Sequence, residues 1–202
     1  MLRNAYLHGE LGDKFVPHFE IDCTTPGEVF RCLDANFGGV KEYFLEKAEE
    51  DKIFIDIGAW IGPYTLLAAK MGMKVYAFEP AEMAFKQLKK NIELNNFKHQ
   101  PEVYNFGLSK KETSTYLYSN TNDFGKSESG LINYKNQKNT KRTEIELKNF
   151  LQEIYKIKNY NLKYSIKVIK IDIEGGEFLF EKDIYDLVKL EKIYCIFYYH
   201  HM

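Results

Sequence analysis

Residues 53–80, IFIDIGAWIGPYTLLAAKMGMKVYAFEP, constrain the fold of this chain most strongly. The apolar run at 53–57 is typical of a parallel strand that is buried on both faces. A glycine-containing turn, a helical segment and a second apolar strand ending at Phe78 follow it. Asp56 and Glu79 stand at the carboxyl ends of the two strands. Two acidic groups around such a turn predict a site for a nucleotide-type cofactor.

The turn itself predicts how a ligand is held. Gly58 and Gly62 free the backbone, and Pro63 stands where the first turn of a helix tolerates proline. We expect amide N–H groups and the positive end of the helix dipole to face the crevice, which suits a carboxylate or a phosphate. Glu79 is placed to accept hydrogen bonds from ribose hydroxyl groups.

The composition excludes several classes of partner and location. The chain has 202 residues, 28 basic and 29 acidic, with a net charge of -1, which does not favour nucleic acid. No apolar stretch reaches the roughly 20 residues that span a bilayer, and the first residues lack a signal-peptide core, so we expect a cytoplasmic protein. Three scattered cysteines, Cys23, Cys32 and Cys195, predict reduced thiols without a disulfide framework or a clustered zinc site.

Strands and helices alternate from residue 53 onward. The predicted strands are 53–57, 74–78, 102–106, 166–173 and 193–199, and the predicted helices are 63–71, 82–95, 146–157 and 184–190. This order predicts an α/β fold with a Rossmann-like, doubly wound, mostly parallel sheet. We expect residues 51–202 to form a single globular unit behind an N-terminal cap segment, residues 1–50. The polar segment 119–142 is either a functional lid or a disordered loop.

A second group of acidic residues follows the fourth predicted strand, in KIDIEGGEF. Asp172 and Glu174 lie two residues apart and share one face, so both can project into the crevice, where one can serve as a general base. Glu177 has either an active role or a helix-capping role. His200, at the end of the fifth strand, either takes a proton from a substrate hydroxyl or belongs to a solvated tail. The predicted catalytic residues are therefore Asp172, Glu174 and His200.

Together these segments resemble the FkbM family of S-adenosylmethionine-dependent methyltransferases. The matching parts are Asp56-Ile57-Gly58-Ala59 with Gly62, Phe78-Glu79-Pro80, the GLSKKE segment from Gly107, and Lys170-Ile171-Asp172-Ile173-Glu174-Gly175-Gly176-Glu177. The resemblance implies a class I methyltransferase fold with S-adenosylmethionine as cofactor. It implies cofactor contacts from Asp56, Gly58, Ala59, Gly62 and Glu79, with Asn105 and Gly107 near the adenine. Asp56 is expected to organise the loop and to meet the methionine ammonium.

Three features depart from the family pattern. Trp60 stands where the family has a small polar residue, so either the loop backbone alone binds the methionine end or Trp60 reshapes that pocket. Tyr198 or Tyr199 stands where the family has Glu. The antiparallel hairpin after the fifth strand is missing, since the sequence stops at Met202. We expect a truncated chain, a minimal variant, or a homo-oligomer in which a partner covers the open sheet edge.

The sequence predicts a methyltransferase that acts on a hydroxyl group of a sugar, glycan or other small metabolite. No metal is predicted, because the acidic spacing matches no hard-cation loop. One alternative is an NAD-dependent oxidoreductase, although the turn lacks the G-x-G-x-x-G spacing. The other is a non-catalytic Rossmann-like binding domain.

Overall fold

The computed structural model describes residues 2–7, 18–22, 50–119, 141–173, Asp183, Leu187 and 194–199. Ten strands lie in this part of the chain: β1 Leu2–Leu7, β2 His18–Asp22, β3 Ile53–Ile57, β4 Lys74–Phe78, β5 Glu102–Tyr104, β6 Gly107–Ser109, β7 Thr113–Ser119, β8 Lys141–Asn149, β9 Ile166–Ile171 and β10 Tyr194–Tyr199. Its three bounded helices are α1 Pro63–Lys70, α2 Glu82–Glu93 and α3 Phe150–Tyr160.

The main sheet has seven strands in the order β2-β1-β10-β9-β3-β4-β5. The five strands from β10 to β5 run parallel to one another. The predicted mostly parallel α/β sheet is therefore confirmed. The strand order reverses at β3, which puts the carboxyl ends of β3, β4 and β9 side by side, where open α/β sheets bind ligands.

The outer edge of β10 is covered by the start of this chain. β1 pairs with β10 in antiparallel register from Asn4 opposite Tyr199 to Leu7 opposite Ile196, and β2 pairs antiparallel with β1. An antiparallel β1–β2 pair thus covers the edge that we expected to be open. Both strands come from the N-terminal part of the chain. The outermost strand on this side is β2, so the unpaired edge lies two strands further out.

A second, three-stranded sheet was not predicted. Its order is β6-β8-β7, with β6 parallel and β7 antiparallel to β8. The predicted start of a helix at residue 146 was wrong, because β8 extends to Asn149 and α3 begins at Phe150. The Asn149 side chain accepts a hydrogen bond from the Gln152 backbone N–H at 3.0 Å, which caps α3 and sets its first residue.

Helices cover both faces of the parallel sheet. Ile53, Ile55 and Ile57 form one core cluster with apolar residues of α3, including Phe150 and Ile154. Alternation along β3 therefore directs Phe54 and Asp56 to the opposite face, where a hydrogen bond joins Asp56 to α1. The site described below lies on this α1 face, at the carboxyl ends of the strands.

Several predictions fall outside the described residues. They include the helical region from Pro26 to Ala48 and most of the proposed lid, residues 120–140. The division of the chain at residue 50 stays a prediction. Within the described part of the chain, every helix is too short or too polar to cross a bilayer.

Candidate active site

Three carboxylates converge on the carboxyl ends of the central strands. Asp56 lies near the end of β3, Glu79 directly follows β4, and Asp172 directly follows β9. The Asp172 backbone N–H donates to the Ile57 carbonyl at 2.9 Å, so the ends of β3 and β9 stay joined beyond the ladder. The fold thus brings together the predicted acidic residues that it describes.

Asp56 is fully buried and has hydrogen-bond and ion-pair partners inside the protein. Its side chain has 0% exposure. One carboxylate oxygen accepts a hydrogen bond from the Thr65 hydroxyl of α1 at 2.7 Å. The other lies 3.1 Å from Lys170 Nζ, an ion pair without hydrogen-bond alignment. Asp56 therefore links α1, β3 and β9 beneath the loop.

Lys170 is the functional candidate that the sequence analysis missed. Its side chain is 3% exposed, and Nζ donates to the Gly58 carbonyl at 2.7 Å. The same ammonium lies 3.7 Å from Asp172 Oδ2 and 5.3 Å from the centre of the Tyr64 ring. A lysine is almost never fully buried unless it is paired, so its place in the apolar strand IKVIKI was the available signal.

Backbone N–H groups of the loop after β3 donate hydrogen bonds to acceptors within the protein. Gly58 N and Ala59 N donate to the Phe78 carbonyl at 2.9 and 3.1 Å, and Gly62 N donates to the Ala59 carbonyl at 2.9 Å. Trp60 N donates to Glu79 Oε2 at 2.8 Å. The expectation that these amides face the crevice as donors was wrong, because the loop folds back onto the end of β4.

The predicted glycines are explained by close packing. Gly58 has φ 73, and a Cβ at this residue would collide with the backbone carbonyl of Asp172. Gly62 has φ 96, and a Cβ would lie 2.5 Å from Leu88 Cδ1 of α2. At Gly107 a Cβ would lie 2.6 Å from Leu147 Cδ2. These glycines let backbone and neighbouring elements approach each other, which shapes the loop without requiring a ligand.

Glu79 fastens the loop to the start of α2. Its Oε1 accepts from Ala81 N and its Oε2 from Trp60 N, both at 2.8 Å. Burial raises the pKa of Glu79 from 4.5 to about 7, although the two N–H donors act in the opposite direction. An ionised carboxylate has about four lone-pair sites, so two acceptor positions remain for ribose hydroxyl groups.

Asn105 and Trp60 both contact Glu79, Asn105 at the backbone carbonyl and Trp60 at the carboxylate. The Asn105 side-chain amide donates to the backbone carbonyls of Glu79 and Pro80 at 2.9 and 3.2 Å, which fixes Asn105 beside the end of β4. Trp60 packs against an apolar cluster that includes Ala81 and Leu117. The Trp60 ring therefore joins the loop to the second sheet.

The other predicted catalytic residues, Glu174 and His200, lie outside the described residues, as does Glu177. Among the described residues, no group of three or more His, Cys, Asp or Glu could hold a metal ion. A cavity of about 280 Å³ is lined by residues that include Gly72 and Lys98. It lies at the opposite end of β3 and β4 and does not belong to this site.

Comparison with known proteins gives a family and several partial structural similarities. The family model described as Vibrio cholerae RfbT protein matches residues 9–202. The candidate transferase PH0793 of Pyrococcus horikoshii is 23% identical, with a TM-score of 0.32. P. horikoshii TYW2, solved in complex with MeSAdo, is 28% identical, with a TM-score of 0.29. Each match covers 51% of this chain and only 36% of the other chain. No curated protein matches the chain.

Proposed function

We propose that this chain, which belongs to the Vibrio cholerae RfbT protein family, is an S-adenosylmethionine-dependent methyltransferase. Its proposed acceptor is a hydroxyl group of a sugar, glycan or other small metabolite. The finer resemblance to the FkbM family rests on the KIDIEGGE segment and stays a prediction. The cytoplasmic location and the homo-oligomer are predictions as well.

One observation carries the choice of cofactor: the loop after β3 uses four of its N–H groups within the protein, where a pyrophosphate would need donors. The N–H groups of Gly58, Ala59, Trp60 and Gly62 are all used within the protein. Pro63, at the start of α1, has no N–H at all. A dinucleotide pyrophosphate is held by the N–H groups of such a loop, whereas carboxylates suit hydroxyl groups and cations. S-adenosylmethionine has a ribose, an ammonium and a sulfonium.

The residues present fit this cofactor. Glu79 would accept the ribose hydroxyl groups with the lone pairs that its backbone contacts leave. Asn105 is fixed beside Glu79, at the proposed adenine end. Asp56 would hold the loop through Thr65 and Lys170. When bound, the cofactor supplies an electrophilic methyl group.

The chain itself has to align the acceptor oxygen and to take its proton. Asp172, Glu174 and His200 are the proposed acid–base groups, and any one of them can serve as the base. We further propose that the segment 119–142 and the N-terminal segment exclude water from the bound acceptor.

A non-catalytic domain is the second candidate, favoured by a specific observation. Asp56 and the four loop amides already have partners inside the protein, so the loop keeps its shape without a ligand. The third candidate, an NAD-dependent oxidoreductase, has no comparable support in the geometry.

Isothermal titration with S-adenosylmethionine and with NAD separates the three candidates. We expect S-adenosylmethionine to bind and NAD to give no heat. Glu79→Ala should weaken that binding at least tenfold, because hydrogen bonds to a charged group contribute about 1.5–3 kcal/mol. Glu144→Gln, an exposed position on β8, is the matched control and should leave the binding unchanged. Binding of neither ligand would favour the non-catalytic domain, and binding of NAD alone would favour the oxidoreductase.

A further inference from the structure

Trp60 has a backbone conformation that is unfavourable for a large side chain. Its φ is 51, and Asp51 is the one other described non-glycine residue with a positive φ. L-residues rarely adopt this left-handed region because the Cβ comes too close to the following carbonyl oxygen, whereas glycine adopts it readily. Such a conformation persists where the surrounding contacts determine it, often next to a functional group.

The contacts of the loop backbone direct the Trp60 N–H at Glu79. The Asn91 side-chain amide of α2 donates to the carbonyl of Ile61, the next residue, at 2.8 Å. The Trp60 N–H itself donates to Glu79 Oε2 at 2.8 Å. The left-handed residue of the loop thus contacts the carboxylate that is proposed to bind the ribose.

Both residues that donate to the Glu79 carboxylate pack in one apolar cluster. Ala81, whose N–H donates to Oε1 at 2.8 Å, is 3% exposed and belongs to this cluster. Trp60, the donor to Oε2, is partly buried and packs against the same cluster. Its other members are Ala84 of α2, Leu117 of β7, and Ile145 and Leu147 of β8. The second sheet therefore supports both residues that hold the carboxylate.

We propose that Trp60 positions the Glu79 carboxylate for the ribose hydroxyl groups, and that the apolar cluster of the second sheet holds Trp60 in place. The proposal rests on the proposed function and deepens it, because it adds a positioning residue that acts through Glu79. Each oxygen of this carboxylate accepts one backbone N–H, so its plane and its remaining lone pairs have fixed directions. A preorganised acceptor binds more tightly, since less order has to be gained on binding.

Two probes that differ only at the ribose test the proposal. S-adenosylhomocysteine has the 2′ and 3′ hydroxyl groups, and its 2′,3′-dideoxy counterpart lacks both. Titration calorimetry of the full chain is done at about pH 8.5, where Glu79, with its pKa raised to about 7, is ionised. The wild type should prefer the hydroxylated probe about tenfold or more, because hydrogen bonds to a charged group are strong.

Variants at Trp60 measure the contribution of its ring. Trp60→Gly keeps the N–H but loses the packing and frees the backbone, so it should reduce the preference for the hydroxylated probe about fivefold or more. Trp60→Phe keeps an aromatic ring for the cluster and should keep the wild-type preference within about twofold.

Two buried aliphatic residues separate positioning from a general loss of stability. Leu117 and Ile157 are both 5% exposed, and Ile157 lies in the other core cluster, on α3. Leu117→Ala loosens the cluster without altering the loop and should reduce the ribose preference about threefold or more. Ile157→Ala is the matched control and should keep this preference within about twofold, although it also removes buried apolar contacts. Circular dichroism melting identifies the variants that are folded, and Leu117→Ala decides the test should Trp60→Gly not fold.

The outcomes separate the two levels of the hypothesis. If the wild type binds neither probe, the proposed function fails, and the role of Trp60 fails with it. If the wild type prefers the hydroxylated probe but a folded Trp60→Gly or Leu117→Ala variant keeps that preference, only the positioning role is overturned. Equal affinity of the wild type for both probes would overturn the positioning role as well, while binding of the cofactor would stand. An equal loss of preference in Ile157→Ala would also overturn it, because the effect would then report stability.

Discussion

Substitution of Gly58 by alanine tests how closely the loop after β3 packs against the end of β9. Gly58 has φ 73, and an added Cβ would overlap the Asp172 backbone carbonyl. Gly72 is the matched control, with φ 81 and a Cβ that would lie 2.9 Å from Glu50 Cγ. The neighbour of Gly58 is therefore backbone directly after β9, whereas the neighbour of Gly72 is a flexible, exposed side chain.

The expected magnitudes follow from this difference. A left-handed non-glycine residue costs about 1–2 kcal/mol, and this cost is common to both positions. Overpacking against a rigid neighbour adds about 1–3 kcal/mol, and this cost applies to Gly58→Ala alone. The effect of replacing glycine on the unfolded chain is similar at the two positions and cancels in the comparison. We therefore expect Gly72→Ala to lose about 1–2 kcal/mol and Gly58→Ala about 2–5 kcal/mol.

Urea unfolding followed by far-ultraviolet circular dichroism measures both losses as changes in the free energy of unfolding. The two variants should have the same m value as the wild type, so that the midpoints report stability alone. Equal losses for Gly58→Ala and Gly72→Ala, within about 0.5 kcal/mol, would refute the packing argument. In that case the glycine at position 58 would be required by its backbone angle alone.

Three further predictions concern the charges and caps around the site. Lys170→Met should lower the free energy of unfolding by about 3–5 kcal/mol, because it leaves Asp56 charged and unpaired in the interior, and adding Asp56→Asn should restore most of that loss. Glu79 has a pKa raised from 4.5 to about 7, so its folded state binds the proton more tightly than the unfolded state does. Its contribution to stability is fully present below pH 4.5 and is lost as the pH rises through about 7. Urea titrations across this range should show a decrease of up to about 3 kcal/mol that Glu79→Gln removes. Asn149→Ala should cost about 1 kcal/mol in the same urea assay, because it removes the hydrogen bond that caps α3 at Gln152 N.

Each of these predictions has an outcome that contradicts it. For the ion pair, it is a Lys170→Met variant as stable as the wild type, or a double variant less stable than the single one. For Glu79, it is a wild-type pH dependence that Glu79→Gln leaves unchanged. For the cap, it is an Asn149→Ala variant whose urea midpoint equals that of the wild type.

The sequence predicted the parallel core well because local pattern and tertiary environment agree there. The strands 53–57 and 74–78 are observed with the predicted bounds, since continuous apolar runs fit strands that are buried on both faces. The start of α3 was misplaced by four residues. Leu147 and Phe150 are spaced as on a helix, but residues up to Asn149 pair with β6 and β7. Strand pairing to distant segments overrode the local period.

The candidate site, too, was predicted from the sequence only in part. The positions of Asp56, Glu79 and Asp172 at strand ends followed from the sequence, because parallel strands place their carboxyl ends at one edge. The hydrogen-bond and ion-pair partners of each group could not be predicted from the sequence. The loop amides were expected to face a ligand, yet they donate to the Phe78 carbonyl and to Glu79. Hydrogen-bond partners are chosen by the three-dimensional path of the loop, which residue types do not specify.

The amino-acid sequence by itself determined the alternation of strands and helices, the parallel sheet and the edge at which the acidic residues meet. Only the tertiary structure decided that Lys170 forms ion pairs with both Asp56 and Asp172, and that β1 covers the edge of β10. The physical reason is the range of the interactions. Hydrophobic periodicity acts within one element, whereas an ion pair between β3 and β9, or a strand pair between the two ends of the chain, exists only after distant segments have packed together.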